Sequence, residues 1–168
     1  MAELTRSTAI ARGLLAGVVA GIVASFAMDR FQALATTLSP PDDDSPAAEP
    51  ATARAADGLA RATVGHAVAE ADQPLAGQLV HYALGTGLGI AYAVTAEFRP
   101  TVTAGTGTAF GVVTAALLDE TIVPLVGLGA APWKTGAGTH AYSLASHLVF
   151  GVVAELTRRQ VRATLLPA

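Results

Sequence analysis

Residues 12–30 read RGLLAGVVAGIVASFAMDR. Within them Gly13, Gly17, Gly21, Ser25 and Asp29 fall four apart, so on a helix they stack into one narrow row of small residues closed by a carboxylate. In water, glycine inside a helix costs roughly 1 kcal/mol relative to alanine, whereas in lipid small residues at this spacing let helix backbones approach and pack. The row recurs along the chain as Gly77, His81, Gly85, Gly89, Ala93, Glu97, then as Thr103, Gly107, Gly111, Ala115, Asp119, then as Thr139, Ser143, His147, Gly151, Glu155. The repetition predicts an all-α polytopic membrane protein, a four-transmembrane-helix bundle packed through small-residue ridges, with Gly13, Gly17, Gly21, Gly85, Gly89, Gly107, Gly111 and Gly151 at the helix contacts. Leucine at Gly21 or Gly111 is then expected to do more damage than leucine at Ala20 or Val112.

Composition points the same way. The 168 residues are 52% hydrophobic and only 14% charged, with a mean hydropathy of +0.49, too apolar for an ordinary soluble domain and short enough for a single integral membrane domain over 1–168. The absence of cysteine removes disulfides, thiolate metal sites and cysteine nucleophiles. The net charge of -3 and the lack of a basic run give no footprint for nucleic acid.

The spans are expected at about 9–28, 75–96, 102–123 and 140–156, each able to cross a ~30 Å hydrocarbon core. The first is read as a retained anchor, although Arg6 and Arg12 mimic the basic start of a signal peptide. Residues 39–74, with Pro40, Pro41, Pro46, Pro50 and an acidic run, form an outer loop, inside which Ala55, Leu59 and Ala62 mark one face of a short helix. The link from Glu97 to Thr101 makes the second and third spans antiparallel neighbours. Trp133 suits the headgroup layer. Arg6, Arg12, Arg99, Arg158, Arg159 and Arg162 fall on one side and Arg30, Arg54, Arg61 and Lys134 on the other, which by the positive-inside rule puts both termini in the cytoplasm. The first and third rows also match at an offset of ninety, Gly17, Gly21, Asp29 against Gly107, Gly111, Asp119, hinting at two repeated hairpins.

Ionisable groups inside a membrane are costly, and a role in proton movement is their commonest use. The topology puts Asp29, His81 and Asp119 near the outer surface with Glu120 and His140, Glu97 and Glu155 at the inner end beside Arg99 and Arg158, and His147 between the layers. The bland alternative makes Asp29, Glu97 and Glu155 helix-end anchors and His147 a satisfied core histidine. A metal site from Asp29, His81, Asp119 and His140 has suitable ligands but no supporting spacing, so no metal is expected. Bis-histidine haem ligation by His81 with His140 or His147 conflicts with close glycine packing, and no cofactor is expected. Residues 85–89, GTGLG, lack the strand and lysine of a phosphate loop, and no nucleophile motif occurs, so the chain is not read as an enzyme. The leading expectation is a module that senses or conducts protons and assembles with itself or a membrane partner. An accessory subunit and an electron-transfer bundle follow it.

From His81-Tyr82, Gly85, Gly89, Tyr92, Ala96-Glu97, Pro100, Gly105, Gly111, Asp119, Pro124 and Gly127-Leu128 to Ser143, His147, Val149, Glu155 and Arg158-Arg159, the chain resembles the YagU-like bacterial inner-membrane proteins, a domain of unknown function. The resemblance implies an integral inner-membrane location and no established enzyme activity. It supplies no substrate.

Overall fold

The structure is a computed structural model and describes residues 2–38 and 49–165, which hold helices and turns and no strand. Six α-helices follow one another: α1 Ala2–Leu38, α2 Ala51–Val64, α3 Gln73–Phe98, α4 Thr108–Leu117, the short α5 Val123–Leu125, and α6 Ala137–Leu165. By length and composition, three stretches of described residues can cross a membrane, Thr5–Leu38, Glu70–Phe98 and Pro100–Leu125. The expected fourth span lies in α6, which is long enough at 29 residues. It is not among the three, because His140, His147, Glu155 and three arginines dilute its apolar character.

In α1 the small residues are inside and the large ones outside. Ala16, Ala20 and Ala24 are 0% exposed, while Leu15 and Phe26 are 59% and 54% exposed. That inversion suits lipid, where apolar side chains lose nothing by facing outward. It also corrects one expectation, because Ala20 is as deeply buried as the glycines beside it, whereas Val112 is exposed as anticipated. Asp29-Arg30 does not end α1, since nothing in residues 31–38 breaks a helix and Phe31 finds Tyr142 on α6 to stack against.

Glycines set how closely the helices approach. A Cβ on Gly17 would lie 2.5 Å from the Ile90 Cα, and one on Gly89 would lie 2.6 Å from the Gly21 Cα, so α1 and α3 run antiparallel with backbones nearly touching. Gly13 faces Val94, and the hydroxyl of Ser25 occupies the space left by Gly85. On the other side Gly107 meets Gly151 and Gly111 meets the backbone of His147, which makes α4 and α6 a second antiparallel pair. Ala20, Ala24, Met28, Phe150 and Ala154 join the two pairs through α1 and α6. The start of α1, the end of α6 and the α3–α4 connection therefore share one end of the bundle, with α2 and the 126–136 turn at the other.

The third span departs from expectation. A continuous helix from 102 is interrupted because Gly105, Thr106 and Gly107 take positive φ of 63°, 56° and 86°, which two glycines make accessible, and α4 starts only at Thr108. Thr103 is thus not on the helix that carries Gly107. Further on, a π-turn spans Leu118–Ile122 just before Pro124, which has no N–H for the Glu120 carbonyl. The short connection does not bring α3 and α4 together either. They touch at Tyr92 and Phe110, whose rings stack at 4.3 Å, and then diverge toward the π-turn while α4 packs on α6.

The expected short helix in the 39–74 segment is α2. It lies on α3 through Ala53, which sits against Gly77, and through Ala56, not through the Ala55, Leu59, Ala62 face, where Leu59 is 61% exposed. It starts after Pro50 and closes at Gly65 in the left-handed conformation. Pro40, Pro41 and Pro46 of the expected loop lie outside the described residues.

Candidate functional site

The divergence of α3 from α4 leaves a cavity of about 340 Å³, bounded by α1, α2, α3, α4 with its π-turn, and α6. His81 on α3, Asp119 on the π-turn and His147 on α6 all reach it. Each aspartate of the ninety-offset match meets a histidine from its antiparallel partner. The Asp29 carboxylate lies 3.2 Å from His81 Nε2 and accepts a 2.6 Å hydrogen bond from the Gln78 amide. The Asp119 carboxylate accepts from the Ser143 hydroxyl and lies 3.5 Å from His147 Nδ1.

These placements revise the expected depths. His147 belongs to the same layer as Asp119, since α6 delivers it one turn after Ser143 and its Nδ1 lies 3.0 Å from the Ser143 carbonyl. A carbonyl can only accept, so that nitrogen carries a proton, and Nε2 is an acceptor whenever the ring is neutral. Glu120 and His140 form a third pair, Nδ1 to Oε1 at 2.6 Å, with His140 Nε2 3.1 Å from the Pro132 carbonyl. Both ring nitrogens thus face acceptors, an arrangement the doubly protonated ring satisfies. Asp29, His81, Asp119 and His140 do not converge, and among the described residues no group of three or more His, Asp or Glu could hold a metal ion.

A second cavity, of about 390 Å³, adjoins the first beneath α2 and shares Gln32, Pro50, Thr52 and His81 with it. Asp29, Glu49 and Glu70 line it, and no lysine or arginine does.

The other end is built differently. Glu155 is 0% exposed and its carboxylate accepts four hydrogen bonds, from Arg158 Nε at 2.7 Å and Nη2 at 2.9 Å, Arg159 Nε at 2.6 Å and the Tyr92 hydroxyl at 2.8 Å. Glu97 was expected beside Arg99, but α3 turns it toward α6, where it lies 3.2 Å from Arg162. The spacing of Glu155 with Arg158 and Arg159 was visible as i, i+3 and i, i+4 neighbours. Tyr92, sixty-three positions away, carried no sequence signal for this contact, and neither did Gln78 for Asp29. Between the two ends the rings of Tyr92, Phe110 and Phe150 follow one another, with Phe150 forming part of the 340 Å³ cavity wall.

No curated protein and no solved structure matches the chain. A family model described as "Protein of unknown function (DUF1440)" matches residues 36–156, a stretch that holds His81, Asp119, Glu120, His140, His147 and Glu155 but not Asp29. With most of its length matched, the chain belongs to the DUF1440 family.

Proposed function

We propose that this chain is a small proton-sensing protein of the bacterial inner membrane that crosses the bilayer four times, with both termini cytoplasmic. The observation that carries the reading is that Asp119, His147 and His81 line one cavity at one end of the bundle, while Asp29, the partner of His81, lines the cavity adjoining it. A carboxylate beside a histidine binds protons over the range where histidine titrates, and a groove between helices gives that titration something to move. On the arginine side the cavity wall includes Phe150, with Phe110 and Tyr92 following it, and this aromatic run favours sensing over conduction through one protomer.

The fourth crossing is α6, its polar groups paired inward against α3 and α4. Glycine rows hold the bundle together, and because those glycines meet backbone within the protomer, association with a second copy or another membrane protein uses the outer apolar faces. Six arginines at the end holding both termini against three arginines and one lysine at the other support cytoplasmic termini.

Trp133 is the single tryptophan and follows Pro132, the carbonyl that faces His140, so its fluorescence reads the acidic end directly. The wild type is expected to change fluorescence between about pH 4 and 8, and Asp119→Asn and His147→Gln to fold but lose that change. A wild type with no response overturns the sensor and leaves an accessory subunit, and proton flux into proteoliposomes would replace sensing by conduction. The native chain lacks cysteine, so a single cysteine at Gly58 should label from outside intact cells and one at Thr164 should not.

A further inference from the structure

The 340 Å³ cavity has a lining that selects for one class of ligand. Its volume falls within the roughly 300–1,000 Å³ of small-molecule sites, and like them it combines apolar walls with a few convergent polar groups. Leu84, Leu88, Leu118, Ile122 and Phe150 supply the walls, and no lysine or arginine is present.

Three of its polar groups, Asp119, His147 and Thr114, present acceptors beside the Gln32 amide and the Thr52 hydroxyl. Asp119 receives the Ser143 hydroxyl on Oδ2, while Oδ1 has no described donor. The His147 side chain is 8% exposed, and with Nδ1 given to the Ser143 carbonyl the neutral ring offers a lone pair on Nε2, which has no described partner. Thr114 donates its hydroxyl to the Phe110 carbonyl, which leaves the oxygen free to accept. A carboxylate among apolar walls is stabilised by a counter-charge that also donates hydrogen bonds.

We infer that this cavity binds an organic monocation with an apolar body, an alkyl- or arylammonium ion, whose ammonium group sits on Asp119 and whose body lies between α3 and α4. The inference deepens the sensor reading, because it gives the proton-responsive cavity a ligand. A divalent metal is a poor fit, since Ca²⁺ and Mg²⁺ take six or more oxygen ligands and the cavity holds one carboxylate. An anion would find no cation to meet it. The adjoining space under α2, lined by Asp29, Glu49 and Glu70, attracts cations toward the boundary the two cavities share.

Protons compete for the same place. Asp119 is faced by Ser143 and His147 from α6 and, across the cavity, by His81 from α3 with Asp29 behind it on α1, and Glu120 and His140 lie alongside. Protonating Asp119 removes the counter-charge, and protonating either histidine adds a repelling one.

The test is calorimetric titration of the full chain in detergent micelles with benzylammonium chloride, with benzyl alcohol and benzoate as matched controls and empty micelles as the blank. Saturable benzylammonium binding is expected at about pH 7.5 and should weaken about tenfold or more at about pH 5, the two values bracketing ordinary histidine titration. The two controls should not bind. Asp119→Asn should weaken binding about tenfold, the cost of one charge-assisted contact. Leu118→Trp, which fills the cavity without touching a charge, should abolish it.

Benzyl alcohol binding as tightly as benzylammonium overturns the inference, as does unchanged affinity in a folded Asp119→Asn. Should that variant fail to fold, the comparison of the two wild-type ligands and Leu118→Trp decide. Trp133 fluorescence without amine separates the two readings. A pH response with no amine binding overturns the cation site alone, whereas amine binding with no pH response supports the site and overturns the sensor.

Discussion

The two ends of the bundle hold the same kinds of acid and treat them in opposite ways. At the arginine end Glu155 has partners whose charge is fixed at any ordinary pH, every position around it is filled, and the group joins α3 to α6. At the acidic end Asp29, Asp119 and Glu120 each have a histidine for a partner, whose charge depends on pH, and cavities open beside them. A carboxylate locked by arginine fastens helices, whereas one beside histidine and empty space is free to respond. In the proposed reading, the choice of cation, more than depth in the bundle, separates the fastening end from the responding one.

The largest expected effect tests the fastening. Glu155→Ala leaves Arg158, 7% exposed, without its counter-charge and should cost about 3–5 kcal/mol of stability in detergent unfolding, because an uncompensated buried charge is severely penalised. Next comes glycine contact. Gly17→Leu or Gly89→Leu drives a side chain into neighbouring backbone and should cost about 1–3 kcal/mol or more, while Gly87→Leu, with nothing within 4 Å, should change stability by less than about 0.5 kcal/mol. Equal melting temperatures for the Gly89 and Gly87 variants would show that the glycines do not set the spacing.

Asp119→Asn should cost less than about 1 kcal/mol, since its side chain is 36% exposed and no arginine or lysine pairs with it among the described residues. If it matches Glu155→Ala, the contrast between the ends fails. The smallest effect concerns Asp57 on α2. The Val68 backbone N–H and then the Arg61 guanidinium hold its carboxyl below the usual carboxylate range. A lowered folded value means that its stabilisation is complete above the ordinary carboxylate pKa and is lost as pH falls through the lowered one. The protection of the Val68 amide against hydrogen exchange, taken relative to the intrinsic rate at each pH, should therefore fall only in acid, and Asp57→Asn should remove that acid step.

Residues 12–30 were enough to read an all-helical membrane protein, because the small residues of α1 recur on the helical period. At Gly17 and Gly21 a Cβ would meet the backbone of α3, a contact consistent with the close approach expected of small residues there. What stayed hidden depended on which helix faces which. The Gly105–Gly107 interruption was masked by a glycine row that looks helical, and only the positive φ at Gly105, Thr106 and Gly107 shows that Thr103 is not on it. His147 was placed by counting along one helix, yet Ser143 and Asp119 decide its surroundings. Glu97 was assigned to Arg99 because the two are close in sequence, whereas Arg162 reaches it from another helix. Tyr92, adjacent to neither Glu155 nor Phe110 in sequence, could be assigned to them only in three dimensions.

The modest hydropathy of α6 bears on how the protein is made. In the proposed topology, α6 leaves the ribosome after α1, α3 and α4, carrying His147, Glu155 and arginines that an insertion machinery partitioning segments one at a time would hold back at the water side. Tyr92 and Phe110 have by then been synthesised, so Glu155 meets a donor and Phe150 a ring only when α6 docks on helices already in the bilayer. Entry of α6 into the membrane and its folding are on that account a single event, and a truncated chain ending before residue 137 would hold a half-built groove that quality-control proteases can recognise as unfinished.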